Sequence, residues 1–99
     1  MTITKTKNGA ELTLALEGRL DTTTAPQLEA ELKESLTAET TALVLDMKDL
    51  AYLSSAGLRV ILAAQKQMNK QGKMVIHNVC ETIMEVFEVT GFTDILTIE

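Results

Sequence analysis

Leu50-Ala51-Tyr52-Leu53-Ser54-Ser55-Ala56-Gly57-Leu58-Arg59-Val60-Ile61 is the stretch that decides how the rest of the chain is read. Upstream of it, Ala42-Leu43-Val44-Leu45 is a short, continuously apolar strand that runs into a loop. Downstream, Leu58, Val60, Ile61, Leu62, Ala63 and Ala64 begin a helical pattern. Two adjacent serines stand at the mouth of that helix. A serine there can cap the helix by accepting a bond from a free backbone N–H. It can also carry a phosphate, which the N–H groups and the helix dipole tolerate.

Working outward, the strand and helix fit an alternating order. Met1 to Lys7 reads as an edge strand, and Asn8-Gly9 is a tight-turn signal. In Glu11 to Glu17, Leu12, Leu14 and Leu16 alternate with Thr13, Ala15 and Glu17, the pattern of a half-buried strand, so the first two strands form a hairpin. Gly18 ends the second strand. Asp21-Thr22-Thr23-Thr24 offers capping oxygens, and Pro26 sits in a first helical turn. Leu28, Leu32 and Leu36 at spacing four make Ala25 to Leu36 an amphipathic helix. Thr41 to Asp46 reads as a central strand covered on both faces. The longest helix runs from about Ser55 to Gln71, with Gly72 at its C-terminal cap. Lys73 to His77 is another buried strand, Glu81 to Val89 a third helix stopped by Gly91, and Ile95 to Ile98 a last short strand or extended tail.

The predicted order is therefore β-β-α-β-α-β-α-β. It implies a single α/β domain over residues 1–99, with a mixed, mostly parallel sheet of four or five strands and at least three helices. In such folds sites gather at the carboxyl ends of strands. Asp21, Asp46 and Ser54-Ser55 all follow predicted strands and are expected at one end of the molecule.

Composition narrows the function. The 99 residues are 45% hydrophobic and 23% charged, enough for one core but not for a large enclosed active site. A formal net charge of −5 argues against non-specific nucleic-acid binding, which needs clustered Lys and Arg. The single cysteine, Cys80, allows no internal disulfide and fits a reducing compartment; it reads as a small, partly buried residue. Met1 to Lys7 lacks the apolar block of a signal peptide, and no apolar run approaches a membrane span. The expectation is a soluble, cytoplasmic protein without direct membrane insertion.

Catalytic groups are few. A Ser-His-Asp arrangement would need Ser55, His77 and Asp46 or Asp21 to converge, and no G-x-S-x-G elbow is present. One Cys and one His cannot close a zinc site, and the scattered glycines form no phosphate loop. The expectation is a non-enzyme with no metal and no cofactor. Asp21 reads as a cap or turn residue and Asp46 as a carboxylate tying down the turn after its strand. Alternatively the two form an acidic rim that serves a partner. The apolar helix after the serines packs deeply between the sheet and a neighbouring helix, presents an apolar face to a partner, or does both.

The run Asp46-Met47-Lys48-Asp49-Leu50-Ala51-Tyr52-Leu53-Ser54-Ser55-Ala56-Gly57-Leu58-Arg59-Val60-Ile61 resembles STAS domains, the sulfate-transporter and anti-sigma-factor-antagonist family. More narrowly it is similar to the free-standing bacterial anti-sigma factor antagonists. Gly18-Arg19-Leu20-Asp21 with Thr24-Ala25-Pro26, and Phe87-Glu88-Val89-Thr90-Gly91-Phe92 with Asp94-Ile95-Leu96, agree with the family's other segments. The resemblance implies a partner switch. The unphosphorylated protein would bind a serine-kinase anti-sigma factor, the kinase would phosphorylate a serine at this helix start, and a serine phosphatase would restore binding. Many family members read Asp-Ser-Ser-Gly, with the acceptor directly before glycine. Here Ala56 occupies that position, so the expected acceptor is Ser55, with Ser54 second. The residues expected to meet the partner are Asp21, Thr22, Asp46, Ser54, Ala56, Gly57, Leu58 and Arg59. The alternative on the same fold is an adaptor subunit of a membrane transport ATPase, in which the serines only cap.

Overall fold

Asn8 and Glu11 face each other across Gly9, which takes the left-handed conformation (φ 63°) that closes a two-residue turn. In the computed structural model, which describes residues 1–99, this turn joins β1 (Thr2–Asn8) to β2 (Glu11–Leu20) as an antiparallel hairpin. The chain continues through α1 (Ala25–Ser35), β3 (Ala42–Leu53), α2 (Ser55–Met68), β4 (Lys73–His77) and α3 (Glu81–Thr90), then a short 3₁₀ turn at Phe92–Asp94. The sheet order is β1-β2-β3-β4, with β2, β3 and β4 mutually parallel. The expected α/β architecture is the one observed. The last expected strand shrinks to one bridge, in which Ile98 pairs with Ile76. No helix is long and apolar enough to cross a membrane.

Leu12, Leu14 and Leu16 of β2, Leu43, Leu45 and Met47 of β3, and Met74 and Ile76 of β4 point to one face and are buried. Leu28 and Leu32 of α1, Ile61, Ala64 and Met68 of α2, and Ile83 and Phe87 of α3 complete the same core. The residues between them on the strands, Thr13, Ala15, Val44, Asp46 and Val75, are only half-buried. The reading of β3 as covered on both faces is thereby corrected. The chain steps from β2 to β3 to β4 in one direction across the sheet. Right-handed crossovers then put α1 and α2 on the same side, and the other side has no layer.

A second correction concerns β3. The expected loop between Asp46 and Ser54 is strand as far as Leu53, because β2 continues to Leu20 and pairs with it throughout. The register slips twice. Asp46 to Asp49 spans one residue more than Ala15 to Glu17, and Leu50 to Tyr52 one more than Gly18 to Arg19. Each slip is a bulge that inserts an extra residue into β3. The buried positions therefore change from every second residue to every third, at Met47, Leu50 and Leu53.

Two smaller expectations also change. α2 ends at Met68 and is capped by Asn69 in the right-handed helical region. Gly72 is thus no left-handed cap; it is needed because a Cβ there would collide with the Thr41 carbonyl. Cys80 is exposed rather than partly buried and precedes α3, with its sulfur 3.9 Å from the Leu50 carbonyl oxygen. Gly91 does close α3 in the left-handed conformation, at φ 78°.

A Gly72→Ala variant should lose about 3 kcal/mol, the upper end of typical overpacking costs, because the obstacle is backbone and cannot rotate aside. Urea denaturation checks this; an unchanged midpoint would refute the close approach.

Candidate functional site

The carboxyl ends of β2 and β3 meet at Leu20 and Leu53, and α2 starts immediately beyond. Ser54 joins the three elements. Its N–H donates to the Leu20 carbonyl (2.9 Å), and its carbonyl accepts the Leu58 N–H (3.0 Å). Its Oγ accepts the Gly57 N–H at 3.4 Å, and its extended backbone (φ −99°, ψ 172°) is that of an N-cap. Ser54 is half-buried; Ser55, the first helical residue, is exposed. The two serines thus divide the roles that the sequence left open. One hydroxyl is committed to the helix, and the other faces solvent.

Gly57 lets the helix begin here. A Cβ at this position would lie 2.6 Å from Leu20 Cγ and 2.8 Å from Leu53 Cδ1, so the first turn of α2 rests directly on the strand ends. Leu58, Val60, Ile61 and Ala64 are buried, Leu62 is half-buried and only Ala63 is exposed. Deep packing therefore accounts for the apolar circumference of α2. Leu58, expected to meet a partner, is a core residue instead.

The turn from β2 into α1 lies beside this helix start. Asp21 Oδ1 accepts the N–H groups of Thr23 (3.0 Å) and Thr24 (3.2 Å) and the Thr23 hydroxyl (2.8 Å). Thr24 Oγ1 donates to the Arg19 carbonyl (2.7 Å) and accepts the Asp21 N–H (2.8 Å). These bonds, led by that from the Thr23 hydroxyl, hold the Asp21 carboxyl below its ordinary value of 3.8. Asp21 is therefore the turn residue that the sequence suggested. Across a shallow groove, Thr22, Pro26 and Glu29 of this turn and α1 face Ala56 and Arg59 of α2. Of the expected partner-facing residues, Thr22, Ala56 and Arg59 line this groove, Asp21 precedes Thr22 in the turn, and Ser54 caps the helix that carries Ala56 and Arg59.

Asp46 does not join them. It pairs with Ala15 and His77, and Leu53 pairs with Leu20. From Ala15 to Leu20 is roughly 17 Å at a strand's rise per residue. The shared acidic rim is thus corrected: β3 continues as strand from Asp46 to Leu53 before the serines begin, and that length keeps them away from Asp46. The Asp46 carboxyl accepts from Asn78 Nδ2 and the Lys48 N–H, each at 3.0 Å. The Asn78 bond leads in holding it below the ordinary carboxylate value. His77 lies beside it, with Nε2 3.5 Å from Glu99 Oε1, so Ser55, His77 and Asp46 form no triad. No group of three or more His, Cys, Asp or Glu side chains is placed to hold a metal ion.

Two exposed neighbours escaped the sequence reading. Tyr52, on the last stretch of β3, lies beneath the Arg19 guanidinium, 4.2 Å from ring centroid to Cζ. Arg19 Nε also approaches Asp21 Oδ2 at 3.6 Å. This pair exists only because the second bulge sets Arg19 opposite Tyr52, which the sequence alone does not announce.

Residues 2–99 match the family model of the STAS domain. The chain is 38% identical over 99 residues to BtrV of Bordetella bronchiseptica, provisionally described as an anti-sigma factor antagonist, covering 99% of this chain and 85% of that protein. It is 30% identical over 93 residues to the anti-sigma-B factor antagonist of Bacillus subtilis, covering 93% and 84% respectively. An anti-sigma factor antagonist from Mycobacterium paratuberculosis has the same fold, with a TM-score of 0.88 at 21% identity over 98% of this chain and 83% of that one.

Because only Ser54 caps, Ser54→Ala should cost about 1 kcal/mol, whereas Ser55→Ala should stay within about 0.5 kcal/mol of wild type. Equal losses in thermal unfolding would contradict this division. Acid provides an independent check. Both aspartates titrate lower in the folded chain than unfolded, so their stabilisation is complete above the ordinary value and is lost as pH falls through the folded one. Stability should decline below about pH 4. The Asp21→Asn, Asp46→Asn double variant should show a shallower decline, and an identical acid profile would remove the two carboxylates from the account.

Proposed function

This chain belongs to the STAS domain family, and we propose that it is an anti-sigma factor antagonist that works as a partner switch centred on Ser55. In the unphosphorylated state it binds a serine-kinase anti-sigma factor through the start of α2 and the turn into α1. The kinase phosphorylates Ser55 and binding is lost; a serine phosphatase returns the protein to its binding form. The observation that carries this reading is the division of labour between the serines. The Ser54 hydroxyl is held by the Gly57 N–H, while Ser55 is exposed one residue on, its side chain outside the core and outside the capping bond.

Physical chemistry supports a switch that acts on binding rather than folding. A phosphate adds about −1.5 to −2 charges to a domain with a net charge of −5. Ser55 makes none of the contacts that fix α2 to the sheet. Those belong to Ser54, Gly57 and Leu58, so the fold accommodates the modification. A partner surface complementary to a neutral hydroxyl would instead have to desolvate a dianion, which is strongly unfavourable without a paired cation. The proposed contact surface is Thr22, Ala56 and Arg59 along the groove, with Asp21 in the adjoining turn and Ser54 and Ser55 at the start of α2. Gly57 serves it indirectly, by seating the helix.

Ser55→Asp should fold like wild type and bind the cognate kinase more weakly by at least about 2 kcal/mol, roughly 30-fold. Ser55→Ala should bind but accept no phosphate. Intact-mass measurement after incubation with the kinase and ATP decides the site. Phosphate on Ser54 would move the switch by one residue, and no phosphate at all would favour an adaptor in which the serines only cap.

A further inference from the structure

We propose that Arg59 is the internal counter-ion of phosphorylated Ser55, and that forming this pair draws the guanidinium out of the surface offered to the partner. The inference rests on phosphorylation of Ser55 as read above and extends it to the mechanism of release. Ser55 and Arg59 are four residues apart on α2, and both are exposed. Side chains at that spacing are neighbours on one helix face. Helical side chains also lean toward the N-terminus, so a long residue at the later position reaches back over the earlier one. The acid-before-base order is the favourable one for such a pair.

The charges around Arg59 leave it available. None of the protein's four ion pairs involves it. Glu29 faces it across the groove from α1 without pairing. Asp21 is held by Thr23, Thr24 and Arg19. The other cation near the turn, Arg19, is stacked on Tyr52. A phosphate on Ser55 would therefore become the strongest acceptor within reach of Arg59, and the guanidinium fork can engage two phosphate oxygens at once. Release of the partner then has two parts. A dianion appears where the partner met a hydroxyl, and the cation one turn further on is turned back toward that dianion. The fold contributes no new strain, because neither side chain packs in the core.

The test places phosphoserine at position 55 of the full chain by genetically encoded incorporation, so that its outcome does not depend on any kinase. The second ionisation of the phosphate is followed by phosphorus NMR as a function of pH. In the parent chain the guanidinium favours the dianion. Arg59→Gln should therefore raise the midpoint by about half a pH unit, roughly a three-fold change in proton affinity. Arg59→Lys should recover part of the difference. The unphosphorylated Arg59→Gln chain should melt like the parent, separating a charge effect from a structural one. Equal midpoints in the parent and Arg59→Gln chains would overturn the pairing. Failure of the kinase to phosphorylate Ser55 would instead overturn the reading on which it rests, and the two failures are told apart by the two measurements.

Discussion

The rest of the structure depends on the close approach of a helix start to two strand ends. The Ser54 N–H is bonded to the Leu20 carbonyl, and Gly57 sits where any side chain would strike Leu20 and Leu53. β2, β3 and α2 are thereby fixed to one another at a single point. The consequence for function is positional. Once Ser54 is the cap and Gly57 the contact, Ser55 must be the first helical residue, and its Cβ must point away from the sheet. An exposed hydroxyl on a rigidly held first turn follows from packing on its inner side.

The two bulges in β3 have an equally direct consequence. Each adds a residue to β3 that β2 lacks and keeps the two strands paired as far as the helix, beyond the point where β4 ends. This separates two ends of the molecule that the sequence suggested were one. At one lie Asp46, His77, Asn78 and Glu99, tied together by side-chain contacts. At the other lie Asp21, Thr22, Arg19, Tyr52 and the start of α2. Bulges also turn side chains that strict alternation would have aimed elsewhere, which is how Tyr52 comes to lie beneath Arg19.

What the sequence made legible follows from which signals are local. The hairpin turn at Asn8-Gly9, the leucine alternation of β2, the spacing-four leucines of α1 and the glycine after α3 are encoded by neighbouring residues, and each appears where it was expected. The far half of β3 looks like a loop in the sequence because its buried residues recur every third position, a period that belongs to neither a regular strand nor a regular helix. Only the pairing with β2, a non-local fact, makes it strand. The sequence hides the covering of the sheet for a related reason. An apolar run such as Ala42 to Leu45 looks the same whether its second face is packed or merely half-exposed, and crossover direction decides the matter. At the candidate site, the identity of the serines was legible and their division of labour was not. Whether a hydroxyl caps depends on which residue has extended backbone, and that is set by where β3 ends.

The charge distribution around Ser55 explains why a small acidic domain can use this site without instability. A dianion on a chain of net charge −5 is repelled by nearby acid groups, and around Ser55 each of these is either paired with a cation or distant: Glu29, across the groove, pairs with Lys33. Asp21 is held in the turn by Thr23 and Thr24, with its second oxygen toward Arg19. Asp46 is tied to Asn78 and the Lys48 N–H in the first half of β3. Exposed charges beyond about 8–10 Å are largely screened at physiological salt, so the length of β3 between Asp46 and Leu53 removes Asp46 from the electrostatics of the serines. What remains within one helical turn is a cation, Arg59. The same continuation of β3 past Asp46 that the sequence hides thus also keeps that carboxylate away from Ser55, leaving a phosphate with Arg59 one helical turn on as its partner of opposite charge, in a fold that it does not disturb.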